Sequence, residues 1–334
     1  MHIEYRFLSI AEYKKYNPDF EVDSEHLFES GVKLYGTAIL SNPYGQDNDF
    51  AVCLAIADGK IVGRFILFRT KLKVGKEIVP IQTGGGILLS EKYRGLGLGT
   101  SLIQKVLEND IHLGALYTRA AYNIVRKTEV MLEIPQYVKL RYYGIKKVLD
   151  VPIFIKYIFL KSRFTIKKLT IVPQWAGDMI AADNSKYMEV HDVSWLQWSL
   201  DNTATGVMED YQSFYAIYDR NNLPIGFFIT KVRTIEQDGV IFKKANLVEW
   251  ASLKNDILDE VDINILAFYT LDDSICKFWT ISGSKKIGDV LKRYMFKRRG
   301  WFAISIRKDK RFKDIGDISQ WRIRYGCCNT ALVE

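Results

Sequence analysis

The chain reads as an α/β (α+β) protein made of two similar units, on three observations. One hairpin pattern occurs twice at nearly one offset. A glycine-rich turn links a strand to an amphipathic helix. The 334 residues hold about two domains. At 48% apolar and 13% aromatic, each half has enough to bury a core. Seven prolines leave no Pro-rich linker, and the composition excludes collagen, coiled coil, a disulfide mini-protein and a disordered chain.

The first hairpin is Phe50–Ile56, the turn Ala57-Asp58-Gly59-Lys60, and Ile61–Phe68. Glycine accepts the positive φ that a tight hairpin turn demands. Next, Ile78–Thr83 is strand-like, Gly84-Gly85-Gly86 interrupts it, and Ile87-Leu88-Leu89-Ser90 resumes. Glycines inside a strand mark a bulge or the close approach of another backbone or a ligand. After Glu91-Lys92-Tyr93 come Arg94-Gly95-Leu96-Gly97-Leu98-Gly99 and a helix from Thr100, with Leu102, Ile103, Val106 and Leu107 on one face. An arginine followed by glycines thus feeds a helix N-terminus, where free N–H groups and the helix dipole hold phosphate. A P-loop is excluded because no Gly-Lys-Ser/Thr follows, and the dinucleotide fingerprint because its third glycine would stand at Thr100.

The pattern that does fit is Arg-x-x-Gly-x-Gly at Arg94, Gly97 and Gly99. With the preceding strand, Ile87–Leu107 resembles motif A of the GNAT N-acetyltransferases. The resemblance covers Phe50–Tyr157, with Met1–Asn48 as first strand and substrate-side helices. It implies mixed, mostly antiparallel sheets flanked by helices, and coenzyme A, as acetyl-CoA, held by the backbone of Arg94, Gly95, Leu96, Gly97, Leu98, Gly99 and Thr100. The strand Ile87, Leu88, Leu89 would pair with the pantetheine arm and polarise the thioester. It further implies a strand at Leu116–Tyr122, a helix end at Gly144–Lys147 and a closing strand within Lys147–Tyr157. In the family a tyrosine on the fourth helix protonates the leaving thiolate. Counting back from Gly144 gives Leu140, so Tyr142 and Tyr143 become the candidates, with Tyr137 nearby. Glu77 is the candidate general base, against a solvated strand start.

The second half repeats the pattern: Tyr215–Tyr218, an acidic-polar turn, then Pro224-Ile225-Gly226–Thr230. Gly226 lies 163 residues after Gly63, and the same offset carries Gln82 to Ala245, inside the strand-like Lys244–Trp250. These matches point to a duplication: residues 1–170 as the coenzyme-binding unit and 171–334 as a degenerate copy that completes the acceptor cleft. The junction falls near residue 170, with Pro173–Asp183 as a connection. No Arg-x-x-Gly-x-Gly follows Trp250. Val290–Trp301 reads as the last helix, with Phe302–Arg307 and Trp321–Tyr325 as last strands. N-myristoyltransferases and Fem-type aminoacyltransferases resemble this double plan.

Lys+Arg 47 against Asp+Glu 39 gives +8, which points to an acidic ligand more than to nucleic acid. The basic run Lys285–Lys313 is either a solvated face or a site for an acidic acceptor. Trp195 and Trp198 are either one core face or a sugar-stacking pair. Cys53, Cys276, Cys327 and Cys328 lack zinc spacing and read as free thiols, and no metal is expected from the scattered histidines. With no signal peptide and no apolar run long enough to span a bilayer, a cytoplasmic location is expected. The expected activity is acetyl transfer from acetyl-CoA to a primary amine of a small polar, amino-sugar or anionic acceptor. A Fem-like aminoacyltransferase and a non-catalytic acyl-CoA-binding module are the rivals.

Overall fold

A computed structural model describes residues 2–15, 21–23, 36–109, 112–115, 119–127, 129–203, 210–253, 257–307, 309 and 312–329. From the N-terminus come β1 (Ile3–Ser9), the short α1 (Ile10–Lys14) and β2 (Glu21–Val22). The strands β3 (Phe50–Ala57), β4 (Lys60–Val74) and β5 (Glu77–Leu89) follow. Then come α2 (Leu98–Asn109), β6 (His112–Ala115), α3 (Arg119–Val125) and β7 (Glu129–Leu140). A 3-10 turn at Gly144–Asp150 leads into α4 (Val151–Arg163). The rest of the chain is β8 (Thr165–Leu169), α5 (Gln174–Ala181), β9 (Tyr187–Glu189), α6 (Val193–Asp201), β10 (Tyr211–Tyr218), β11 (Pro224–Gln237) and β12 (Val240–Ser252). It ends with α7 (Glu260–Thr270), β13 (Ile275–Ile281), α8 (Lys285–Arg293), β14 (Phe296–Arg307) and β15 (Trp321–Arg322).

The hairpins form where the turn chemistry places them. Asp58 and Gly59 take φ +46° and +78°, the left-handed pair of a two-residue hairpin turn. β3, β4 and β5 then make an antiparallel meander, and β10, β11 and β12 make a second one. All fifteen strands among the described residues belong to one sheet whose main path is β1-β3-β4-β5-β6-β14-β7-β13-β12-β11-β10-β8. Outward from the central antiparallel pair β14–β7, both sides read alike. β14 pairs antiparallel with β6 and β7 with β13, and each of those runs parallel to the third meander strand of its half. The halves are therefore interleaved: β14 of the second lies between β6 and β7 of the first. One apolar cluster draws on both, with Ile81 and Leu113 packed among Phe302, Trp321 and Cys327.

Several expected elements differ. Lys147–Tyr157 is no closing strand: Gly144 takes φ +57°, a 3-10 turn follows, and Pro152 sits at the start of α4. Ile153 and Leu160 are its buried residues, seven apart, which is a helical spacing that alternation does not produce. Pro173–Asp183 is mostly helix, because Ala176, Met179 and Ile180 bury one face. β6 ends at Ala115 and Tyr122 is helical; residues 116–118 lie outside the described residues. The last helix ends at Arg293, since Met295 takes φ +63° and β14 starts at Phe296. Trp321–Tyr325 yields only the two residues of β15. Trp195 and Trp198 are buried, and Trp198 donates from Nε1 to the Ala38 carbonyl at 3.0 Å, so the pair belongs to the core and offers no platform for a sugar. β8 already pairs with β10, so the chain joins the second half's edge just before the expected junction.

Candidate functional site

β5 and β6 pair only at Gln82–His112 and Thr83–Leu113. Beyond Thr83, β5 keeps its β4 partner on one edge, while its β6 edge has no strand partner among the described residues. The bulge explains the divergence. Gly85 faces Ile66 and Leu88 faces Arg64, so Gly86 and Ile87 together stand against Phe65. Gly86 takes φ +60°, and the buried Arg64 guanidinium donates to its carbonyl at 2.7 Å. The result is a slot with one wall of half-buried strand edge, Gly84–Leu89, that no described strand pairs.

The glycine-rich turn closes one end of this slot. Gly95 and Gly97 take φ +82° and +83°, with open space where a Cβ would stand. Leu98, Leu102, Ile103, Val106 and Leu107 bury one face of α2 against Cys53, Phe65 and Leu67. A Cβ on Gly99 would lie 3.1 Å from Leu89 Cδ1, so this glycine lets the helix start come down on the end of β5. The ladder of α2 begins with Ser101 N donating to the Gly97 carbonyl at 3.1 Å, which leaves the first-turn N–H groups facing outward. Arg94 is exposed, and its Nη1 sits 3.4 Å from Glu91, a surface pair weak enough to yield to an anion. Ile87, Leu88 and Leu89 are thus gathered with Arg94–Thr100, and the site offers backbone donors, a helix N-terminus and the exposed Arg94 cation.

The other sequence-derived candidates lie elsewhere. Glu77 is exposed at the opposite end of β5, against Val74. At about 3.3 Å per residue it stands roughly 40 Å from Leu89. Register sets Thr83, Leu113, Ile306 and Val130 side by side across four strands. Leu89 is six residues past that line and Tyr142 twelve, which separates them by about 20 Å along the strands alone. Tyr143 donates to the Asp273 carbonyl at 2.7 Å, and the Lys139 ammonium lies 4.9 Å from the Tyr142 ring. Both tyrosines line a separate cavity of about 490 Å³ with Phe154 and Tyr269.

The sequence reading ends a strand at Tyr122, and the structure places this residue on a helix instead. It lies on α3, the helix that directly follows β6, and its hydroxyl donates to Glu133 Oε1 at 2.6 Å. That hydrogen bond raises its pKa above the ordinary phenol value. Counting back from Gly144 presumed a helix before that glycine, but β7 stands there and Gly144 opens a 3-10 turn.

A second charged group is buried in the other half. Glu249 accepts from His191 Nδ1 at 2.5 Å and from Arg322 Nη2 at 2.7 Å. Glu189 accepts from Thr70 Oγ1 at 2.9 Å and from the Cys328 amide at 2.6 Å. Burial alone would raise the Glu249 pKa, but Arg322 and His191 outweigh it and hold the carboxyl down at about 2. Burial likewise opposes a charged His191, and the Glu189 and Glu249 carboxylates overcome it and raise its pKa. Donor atoms of Glu189, His191 and Cys327 lie within 4.8 Å of one another. Arg322 already supplies positive charge to this pocket, so the set is an ion-pair network ill suited to a further cation.

The molecule thus combines a meander, a bulged β5 that parts from the parallel β6, and an Arg-x-x-Gly-x-Gly helix start. The architecture matches solved acyltransferases along its length. A GCN5-related N-acetyltransferase from Anabaena variabilis superposes with TM-score 0.56 at 12% identity, over 92% of this chain and 72% of that one. Saccharomyces cerevisiae N-myristoyltransferase with bound myristoyl-CoA gives TM-score 0.55 at 9% identity, over 91% and 82%. A probable N-acyltransferase from Enterococcus faecalis gives 0.54 at 12%, over 92% and 73%.

The chain has the GNAT fold.

No protein-family profile and no curated protein matches the sequence. At these identities the likeness is one of backbone. The GNAT-fold landmarks here are the slot beside Gly84–Leu89 and the turn Arg94–Thr100, and both belong to the first half. At the corresponding place after β12 the sequence has no glycine-rich turn.

Proposed function

We propose that this GNAT-fold chain is an acyl-CoA-dependent N-acyltransferase, with acetyl-CoA the simplest donor. One observation carries the reading: the open edge of β5 meets the N-terminus of α2 at the Arg94–Thr100 turn. The pyrophosphate of coenzyme A would lie on the turn's amides beside Arg94, and the pantetheine arm would add to the β5 edge as an extra strand. Residues 1–170 would hold the donor and 171–334 would shape the acceptor site. A small polar amine, such as an amino-sugar, is the acceptor class, supported by the basic, aromatic second half.

The chemistry is direct transfer. The neutral amine nitrogen attacks the thioester carbonyl, whose developing oxyanion takes hydrogen bonds from β5 amides. The C–S bond breaks, the amide forms as the nitrogen gives up a proton to water, and the thiolate takes a proton, so that the amine's proton is balanced by the one gained at sulfur. Tyr122 suits that last step better than Tyr142 or Tyr143, because α3 follows the strand that bounds the slot while those two face another cavity. Acetyl-CoA titrated into the protein should bind at one site per chain, and Arg94→Glu should weaken it at least about tenfold. Thiol release with an amine panel should fall about 100-fold in Tyr122→Phe with binding unchanged, and should persist in Tyr142→Phe. Absence of both heat and thermal shift with any acyl-CoA overturns the reading; binding without transfer to any amine leaves a non-catalytic acyl-CoA module.

A further inference from the structure

The helix α4 and the turn before it present a large exposed apolar surface, whose Phe154 also touches Tyr157 and Tyr269 at its edge. Ile153 and Leu160 face inward, packed with residues of α7 and its neighbours. On the opposite side Val151, Phe154, Ile155, Ile158 and Phe159 are all exposed, between 47% and 63%. At 100° per residue these five make one stripe about 140° wide. The preceding turn adds Ile145, 94% exposed, together with Val148 and Leu149. Apolar side chains gathered on an exposed helix face mark an interaction surface.

Charge indicates what covers it. Residues 144–168 hold Lys146, Lys147, Lys156, Lys161, Arg163, Lys167 and Lys168 against one acid, Asp150, which is buried on Lys139. Around the helix, Lys161 borders the apolar stripe on one side and Arg163 borders it on the other, with Lys156 beside it paired to Asp262 at 2.9 Å. Lysines and arginines flanking an apolar face suit an anionic bilayer: the apolar side chains enter the acyl boundary while the cations stay among the headgroups. A second copy of the chain would set these cations against themselves. α4, thirteen residues and about 20 Å long, is too short to cross a bilayer, and no helix among the described residues is long and apolar enough to do so.

We propose that Gly144–Arg163 is an interfacial anchor that docks the protein on an anionic lipid membrane. The full-length protein should sediment with phosphatidylglycerol vesicles and not with phosphatidylcholine vesicles, and added salt should release it. Ile155→Glu with Ile158→Glu changes only exposed positions, so circular dichroism should be unchanged while vesicle binding is lost. Lys161→Gln and Arg163→Gln should each weaken binding about fivefold. Three results overturn the proposal: no sedimentation with either vesicle, sedimentation that survives the double glutamate variant, or a dimer by light scattering that this variant dissociates with no vesicle binding in the parent.

Discussion

Glu129 shows how one buried side chain sets a pH dependence. Its carboxyl is held by the Ser305 hydroxyl, and burial pushes its pKa up to about 7 from the ordinary 4.5. The folded state therefore binds the proton more tightly than the unfolded chain. Its contribution is fully present below about pH 4.5 and is lost as the pH rises through about 7. Glu129→Gln should remove that slope and stabilise the protein at pH 8 relative to the parent, measured as urea midpoints across pH. Glu249 runs the other way: with its folded pKa near 2, its stabilisation is present above pH 4.5 and fades below it. Neither behaviour is visible in the sequence, where nothing marks either glutamate as buried. The glycines are the opposite case. Gly95 and Gly97 announce left-handed backbone by their identity, and the structure puts them there.

At the level of elements, α4 carries the clearest contrast between pattern and outcome. Val151–Ile155 reads as a strand because branched residues crowd a short run. In a strand, Ile153 and Ile155 would share a face; here the first is 1% exposed and the second 63%. Leu160→Ala should cost about 2–5 kcal/mol in urea unfolding because it empties a packed site. Ile155→Ala should stay within about 0.5 kcal/mol. Similar losses at both positions would contradict the helix. The hairpins were legible because Asp58-Gly59 dictates the turn locally. α2 was legible because its stripe of leucine, isoleucine and valine has one consistent period.

For the whole molecule, the decisive feature is the crossing of β7 and β14. Each half's last long strand pairs with the partner half's parallel strand, so cutting the chain near residue 170 leaves β6 and β13 with bare edges. Residues 1–170 and 171–334 expressed separately should aggregate or stay unfolded. Expressed together, they should reconstitute one complex with a single cooperative transition, measured by circular dichroism and size exclusion. Two independently folded, soluble halves would refute the interleaving. The same crossing explains why a junction drawn along the sequence does not divide the fold: the chain order of the halves is simple, but their strand order is shared.

The sequence by itself determined the local devices: the twin hairpins, the bulge-forming glycines, and the Arg94–Thr100 turn that opens a core-facing helix. Each depends on backbone freedom or periodicity within a dozen residues, which is information that the chain carries locally. The tertiary structure alone decided which strand edge is left open beside that turn, that Tyr142 and Glu77 stand far from it, and that Glu189, His191, Glu249 and Arg322 share one buried network. Those outcomes depend on register and on pairings between residues more than a hundred positions apart, and free energy of that kind is settled only when the strands meet.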